Sequence, residues 1–259
     1  MSNLTGAGRA LATLAFALLL LPFAALLSET PWSELGSILA TDAVTTALRV
    51  TAIVVPTATA IVFLIGTPLA WVLARTTGPF ATALRILVLV PVVLPPVVSG
   101  LLLLSAFGRR GLLGPILESV GIVLPFTIGA TILAAVFVAL PFYVLAAESG
   151  FRDLSATMLD AARTLGTPLD RLLDRVGLRN ARSAVAAGLA LAAARALGEF
   201  GATITFAGNV EGATRTLPLA TFSALEQDPD VARVIGLVLV LISIGVIVLL
   251  RNSLVRRPR

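Results

Sequence analysis

Long uncharged apolar runs, separated by short clusters of arginine and acid, dominate the chain. Crossing the hydrocarbon core of a bilayer takes about 20 helical residues. The first candidate runs from Ala10 to Leu27, after Arg9. The second, Val50 to Ala74, lies between Arg49 and Arg75, and the third, Ile86 to Phe107, follows Arg85. Within the uncharged stretch Gly121 to Ala147, the part from about Thr127 predicts a fourth. A fifth runs from Ser183 to Ala207, interrupted by Arg195 and Glu199, and a sixth from Val234 to Leu250. The pattern predicts an all-α membrane protein of about six transmembrane helices. The first run is read as a retained helix and not as a cleaved signal peptide, because no small-x-small cleavage site follows it.

Six spans put both termini on one side, and arginine says which. With the amino terminus inside, 13 arginines are cytoplasmic and five are outside (Arg49, Arg109, Arg110, Arg215, Arg233). That asymmetry satisfies the positive-inside rule and predicts cytoplasmic termini. Residues 1–39 then hold the first helix and an outer loop, 40–250 a transmembrane domain, and 251–259 a basic cytoplasmic tail. Residues 148–182 are the longest cytoplasmic segment.

Composition agrees and narrows the chemistry. Of 259 residues, 58% are hydrophobic and 13% charged, about half the charge of a soluble domain. The net charge of +5 belongs to membrane-end arginines, and no basic stripe with interleaved aromatics points to nucleic acid. Without cysteine there are no disulfides or thiolate sites, and without histidine the commonest general base and metal ligand are missing. No lysine is present, so the phosphate-binding P-loop cannot be built. The chain itself is expected to be no enzyme and to hold no metal or cofactor; any ATP and magnesium would be bound by a partner ATPase.

The segment 148–182 reads as two short helices. Asp153 is a plausible N-cap, and Leu154, Met158, Leu159, Ala162 and Leu165 form one apolar face. Gly166 fits the left-handed position that ends a helix. Thr167 and Pro168 restart the chain as N-cap and first helical residue, with Asp170 three positions after the cap. On pattern alone the unit is a docking element or a connecting loop.

Asp160-Ala161-Ala162, three residues, Gly166, nine residues and then Val176-Gly-Leu178 resembles the EAA loop of bacterial ABC importer permeases. The family pattern has glutamate where Asp160 stands and proline where Arg179 stands. The resemblance implies that this loop carries a coupling helix seated in a groove of the ATPase subunit. Ala161 and Ala162 would permit close approach and Gly166 a sharp turn.

Two spans carry irregular features. The third contains Pro91, Pro95, Pro96, Ser99 and Gly100. Interior prolines free backbone carbonyls that cannot face lipid, so this segment lines a wet cavity or is a kink buried between helices. The fifth carries Arg195 and Glu199, four apart on one helical face, with Gly198, Gly201 and Thr203 around them. Ionisable residues inside a membrane mark function by default, or they neutralise each other structurally. Pro95, Pro96, Ser99, Arg195, Glu199, Gly201 and Thr203 are therefore candidate pore or gate residues, and Ser99, Glu199 and Thr203 candidate contacts of a passing solute.

The stretch Gly198-Glu199-Phe-Gly201-Ala, its continuation through Arg215-Thr-Leu-Pro218, and Leu94-Pro-Pro-Val-Val-Ser-Gly100 are similar to the permeases of molybdate importers, with sulfate and tungstate permeases related. The resemblance covers roughly residues 40–250. It implies a homodimeric pore in the inner membrane of a bacterium or archaeon. It also implies two ABC ATPase subunits and an extracytoplasmic oxyanion-binding protein as partners, with lipid around the complex. A secondary transporter would show broken helices matched between two halves, and spans three and five do not match. An intramembrane enzyme lacks its histidine or paired acids.

Overall fold

A computed structural model describes residues 6–154, 156–164, 166, 168 and 171–255, of which 156, 159, 162, 163, 175 and 249–255 are described by backbone alone. Among the described residues there is no strand. The sequence puts apolar residues in unbroken runs, and helices satisfy every backbone group internally where water is absent.

Among the described residues, four helices are long and apolar enough to span a membrane. They are α1 (Gly6–Glu29), α3 (Asp42–Arg75), α7 (Ile128–Arg152) and α13, whose spanning part is Pro229–Val248 within Pro229–Val255. The short α2 (Leu35–Leu39) joins the first two. The third apolar run is not one rod. It forms α4 (Pro79–Val93) and α5 (Pro96–Phe107), bent by 119°, and counting that pair raises the spans to five. The fifth predicted run also divides, into α10 (Arg182–Leu197, 16 residues) and α11 (Gly201–Phe206). At about 24 Å, α10 alone is shorter than the hydrocarbon core.

The inner scaffold is α3 against α7, with α10 packed against both. Buried residues of α3 recur at helical spacing (Val50, Val54, Ala58, Val62, Ala70) and face Ala135, Ala139, Tyr143 and Ala147 of α7. So many small residues let the backbones come close, which is how helices associate without a hydrophobic drive. The Tyr143 hydroxyl lies 2.5 Å from Thr67 Oγ1 and fixes the register between the two helices. α3 begins eight residues earlier than the uncharged run suggests and is 34 residues long, about 51 Å. α12 (Leu217–Gln227) and α13 close the far side around Val44, Leu217 and Val234.

By contrast, α1 buries none of its residues and is joined to the rest chiefly along α13, where Glu29 meets Arg233 at 3.2 Å. Its Leu11, Leu14, Leu18 and Leu21 are all exposed, a face suited to lipid or to another helix.

Candidate functional site

Two prolines in succession make the first break. A residue before proline is steered out of the helical region, so Leu94 and Pro95 both take extended ψ angles, 139° and 135°. α4 therefore stops and α5 restarts with Pro95 as N-cap and Pro96 as its first residue. The second break lies at Gly198-Glu199-Phe200, between α10 and α11.

The structure brings these two breaks together. A Cβ at Gly100 would meet Thr205 Cβ at 2.6 Å and the Ala202 carbonyl oxygen at 2.8 Å, so α5 and α11 pack backbone to backbone. Next to that junction, Leu103, Ala130, Ala134, Val138 and Phe206 form a core that fixes both short helices to the first half of α7.

The charged pair bridges the second break. Arg195 Nη1 is 2.6 Å from Glu199 Oε2, an ion pair in which that oxygen has no aligned hydrogen bond. The other oxygen accepts from the Ala202 N–H at 2.7 Å and so caps the start of α11. Glu199 is 2% exposed and the Arg195 side chain 25%. The carboxylate thus closes the gap between the end of one helix and the beginning of the next. Ser99 is fully buried with an unpartnered hydroxyl, and Thr203 is buried as well. Pro95 and Pro96 stay exposed. Of the residues singled out in the sequence, Pro96 and Gly201 meet directly, whereas Ser99 and Thr203 point into the packed interior of the single chain.

The loop residues fall elsewhere. Asp160, Ala161 and Ala162 lie on α8 (Ala156–Thr164), and Asp160 and Ala161 are exposed. Gly166 is exposed with φ +83°, the left-handed conformation expected of it. Val176 sits in a single π-helical turn (Leu173–Gly177) and Leu178 begins α9 (Leu178–Asn180), both half-buried. Thr167, Asp170 and Leu165 lie outside the described residues. Asp153 is not the N-cap of α8. α7 continues through Glu148 to Arg152, and Asp153 is its C-cap, with helical φ and ψ. The cause is an i, i+4 pair, Glu148 with Arg152, that prolongs the helix.

A cluster missed in the sequence sits at that same end of α7. Arg75 Nη2 donates to the Phe151 carbonyl at 2.6 Å, satisfying one of the orphan acceptors of the helix terminus, and its guanidinium lies 4.8 Å from the Trp71 ring centre. Arg85 pairs with Glu148 at 2.7 Å. In the sequence these arginines carry only a topology signal. A carboxylate ending an uncharged run, with arginine four residues on, was the available clue.

Residues 66–258 match the family described as binding-protein-dependent transport system inner membrane component. The chain belongs to that family. Over 223 residues it is 41% identical to the molybdenum transport system permease protein ModB of Mycobacterium tuberculosis, covering 86% of this chain and 84% of that one. The Escherichia coli protein of the same description is 36% identical over 189 residues, 73% of this chain and 82% of the relative. In fold, the chain is similar to a subunit of a bacterial alginate ABC transporter crystallised with an alginate-bound periplasmic protein, at a TM-score of 0.74, 12% identity, and 94% and 91% coverage. The family match makes the chain an all-helical inner-membrane permease component of the type I ABC group.

Proposed function

We propose that this chain is the pore-forming subunit of an ATP-driven molybdate importer, working as a homodimer with two ABC ATPases and an extracytoplasmic oxyanion-binding protein. The single observation that carries the substrate is the 41% identity with the Mycobacterium tuberculosis molybdenum permease over most of both chains. In this reading the membrane is crossed six times, by α1, α3, the α4–α5 pair, α7, the α10–α11 pair and α13, with both termini cytoplasmic. The arginine asymmetry of the loops supports that orientation.

The exposed helix α8 is the coupling helix, docking on the ATPase through Asp160, Ala161 and Ala162. Val176 and Leu178 hold the returning strand of the loop on the bundle. ATP-driven closure of the two ATPases displaces this loop. Since α7, about 37 Å long, runs from the loop to the core that its Ala130, Ala134 and Val138 share with α5 and α11, the displacement reaches the two broken helices. There Gly201, Glu199 and the α5 helix would part to admit the anion.

Uptake of labelled molybdate by cells with and without this gene tests the proposal, with tungstate and sulfate as competitors. Uptake that disappears with the gene, and that tungstate but not sulfate inhibits, supports it. Surviving molybdate uptake with loss of sulfate uptake assigns the chain to the sulfate permeases instead.

A further inference from the structure

Glu148 is a buried carboxylate, 6% exposed, that the transport reading leaves without a task. A buried charge persists only when paired, and this one is paired twice. Its Oε1 accepts from Arg85 Nε on α4 at 2.7 Å and from Arg152 Nη2, one turn further along α7, at 2.6 Å. Arg85 also donates through Nη2 to the carbonyl oxygens of Leu73 and Thr76, the latter at 2.9 Å. These carbonyls end α3 and lack intrahelical partners. One side-chain pair therefore ties together the ends of α3 and α7 and the first half of α4.

The loop 148–182 is fastened to the same platform at both its ends. At its start, Arg75 holds the Phe151 carbonyl at 2.6 Å and Trp71 packs edge-on against the Phe151 ring at 5.4 Å. At its finish, the backbone of Gly177 lies against the same indole, where a Cβ would be 2.8 Å from Trp71. Between these attachments α8 is left exposed for a partner.

Little else anchors α4. Ala81 is its only buried residue, and Leu84 and Val88 reach the core partly. Eight residues after Arg85 the helix ends at Val93, and the 119° bend leads directly into α5 and the Pro96–Gly201 junction.

We propose that Glu148 is a positioning residue that passes movement of the loop 148–182 to α4, and through the bend to α5, by way of its bond to Arg85. The inference rests on the importer reading above. The planar guanidinium fork of Arg85 holds the carboxylate and the α3 carbonyls at once, so α4 cannot lag behind when the platform turns. Without the bond, the loop still answers the ATPase but α5 is uncoupled from it.

The chain has no cysteine, so single cysteines can be placed and spin-labelled at exposed Thr164 on α8 and exposed Val97 on α5. In the full complex with ATPase and binding protein in lipid, distances between the two copies are measured with and without ATP. In the otherwise unsubstituted background both distances shift. In Glu148→Gln the α8 shift persists while the population of shifted α5 distances falls about tenfold, and Glu148→Asp restores part of it. Arg85→Gln, which leaves Glu148 paired with Arg152, gives the same split. Shifts retained at both positions in these variants overturn the proposal. So does a parallel loss of both shifts with loss of the assembled complex, the mark of a merely structural pair. If the unsubstituted background shows no ATP-dependent shift, the importer reading itself fails, and this inference with it.

Discussion

Gly201 lies against Pro96 so closely that a Cβ added at Gly201 would come within 2.5 Å of the proline Cβ. These are the first residues of α11 and α5, so two helices that each restart after a break begin against one another. Backbone that leaves the helical ladder within a membrane must be covered by protein or by water in a cavity. Here the starts of α5 and α11 pack on one another while Pro95 and Pro96 keep an exposed side, and the junction opens only if the two helices move apart.

Bulk at that junction is therefore poorly tolerated. Gly201→Val should destabilise the folded chain by about 1–3 kcal/mol through overpacking and abolish uptake, because the added side chain meets the Pro96 ring and the Pro96–Val97 backbone, which can move only with α5. Thermal unfolding in detergent and molybdate uptake check this together. A valine variant with wild-type stability and transport would show that the junction is loose.

The Arg195–Glu199 pair should behave as a bridge across the α10–α11 break and not as two independent charges. Glu199→Ala removes the cap on the Ala202 N–H and leaves the half-buried Arg195 unpaired, an expected cost of about 2–4 kcal/mol. Replacing both residues by leucine should cost less than the single change. A double-mutant cycle read by thermal unfolding gives the coupling; additive effects would argue against the bridge.

Gly166 takes a φ of +83°, which proline cannot adopt since its ring fixes φ near −65°. Gly166→Pro should abolish transport while the chain still reaches the membrane, and Gly166→Ala should weaken it, at a backbone cost of about 1–2 kcal/mol. Uptake assays with membrane quantification by immunoblot decide the matter. Normal uptake by the proline variant contradicts a rigid coupling turn.

The Thr67–Tyr143 hydrogen bond is buried between α3 and α7. Tyr143→Phe should cost about 0.5–1.5 kcal/mol, the net worth of one hydrogen bond, because the Thr67 hydroxyl still donates to the Phe63 carbonyl at 2.6 Å, and adding Thr67→Val should change little further. Melting temperatures of the unsubstituted chain and the two variants in one detergent provide the comparison.

What the sequence made legible follows from where the physics is local. Uncharged runs predicted α1, α3, α7 and α13, because a run of that length has no soluble alternative. Gly166 was readable as a left-handed residue from its place after an apolar helical face. The caps divided: Thr127 caps α7, accepting from the Ala130 N–H at 3.3 Å, at the start expected, whereas Asp153 lost its assignment to a helix that ran on. The prolines signalled a broken third span, but its 119° angle depends on what α5 finds to pack against, namely α11 from a hundred residues away. Arg195 and Glu199 were paired from their spacing alone. The charges and Gly198 mark an interruption there, but that the helix stops at Leu197 and restarts at Gly201 depends on packing against α5. In the Arg75, Arg85 and Glu148 cluster the Glu148–Arg152 spacing is legible as a local pair, whereas Arg75 and Arg85 come from helices far apart in sequence, which no local pattern gives.

The most direct test of the whole account is made in proteoliposomes containing this chain with its ATPase. Labelled molybdate and the binding protein are supplied outside, and ATP is enclosed at the face of α8. The account predicts accumulation of molybdate that requires ATP, the binding protein and an intact Gly166. Accumulation driven by an ion gradient without ATP, with this chain alone in the membrane, would contradict it.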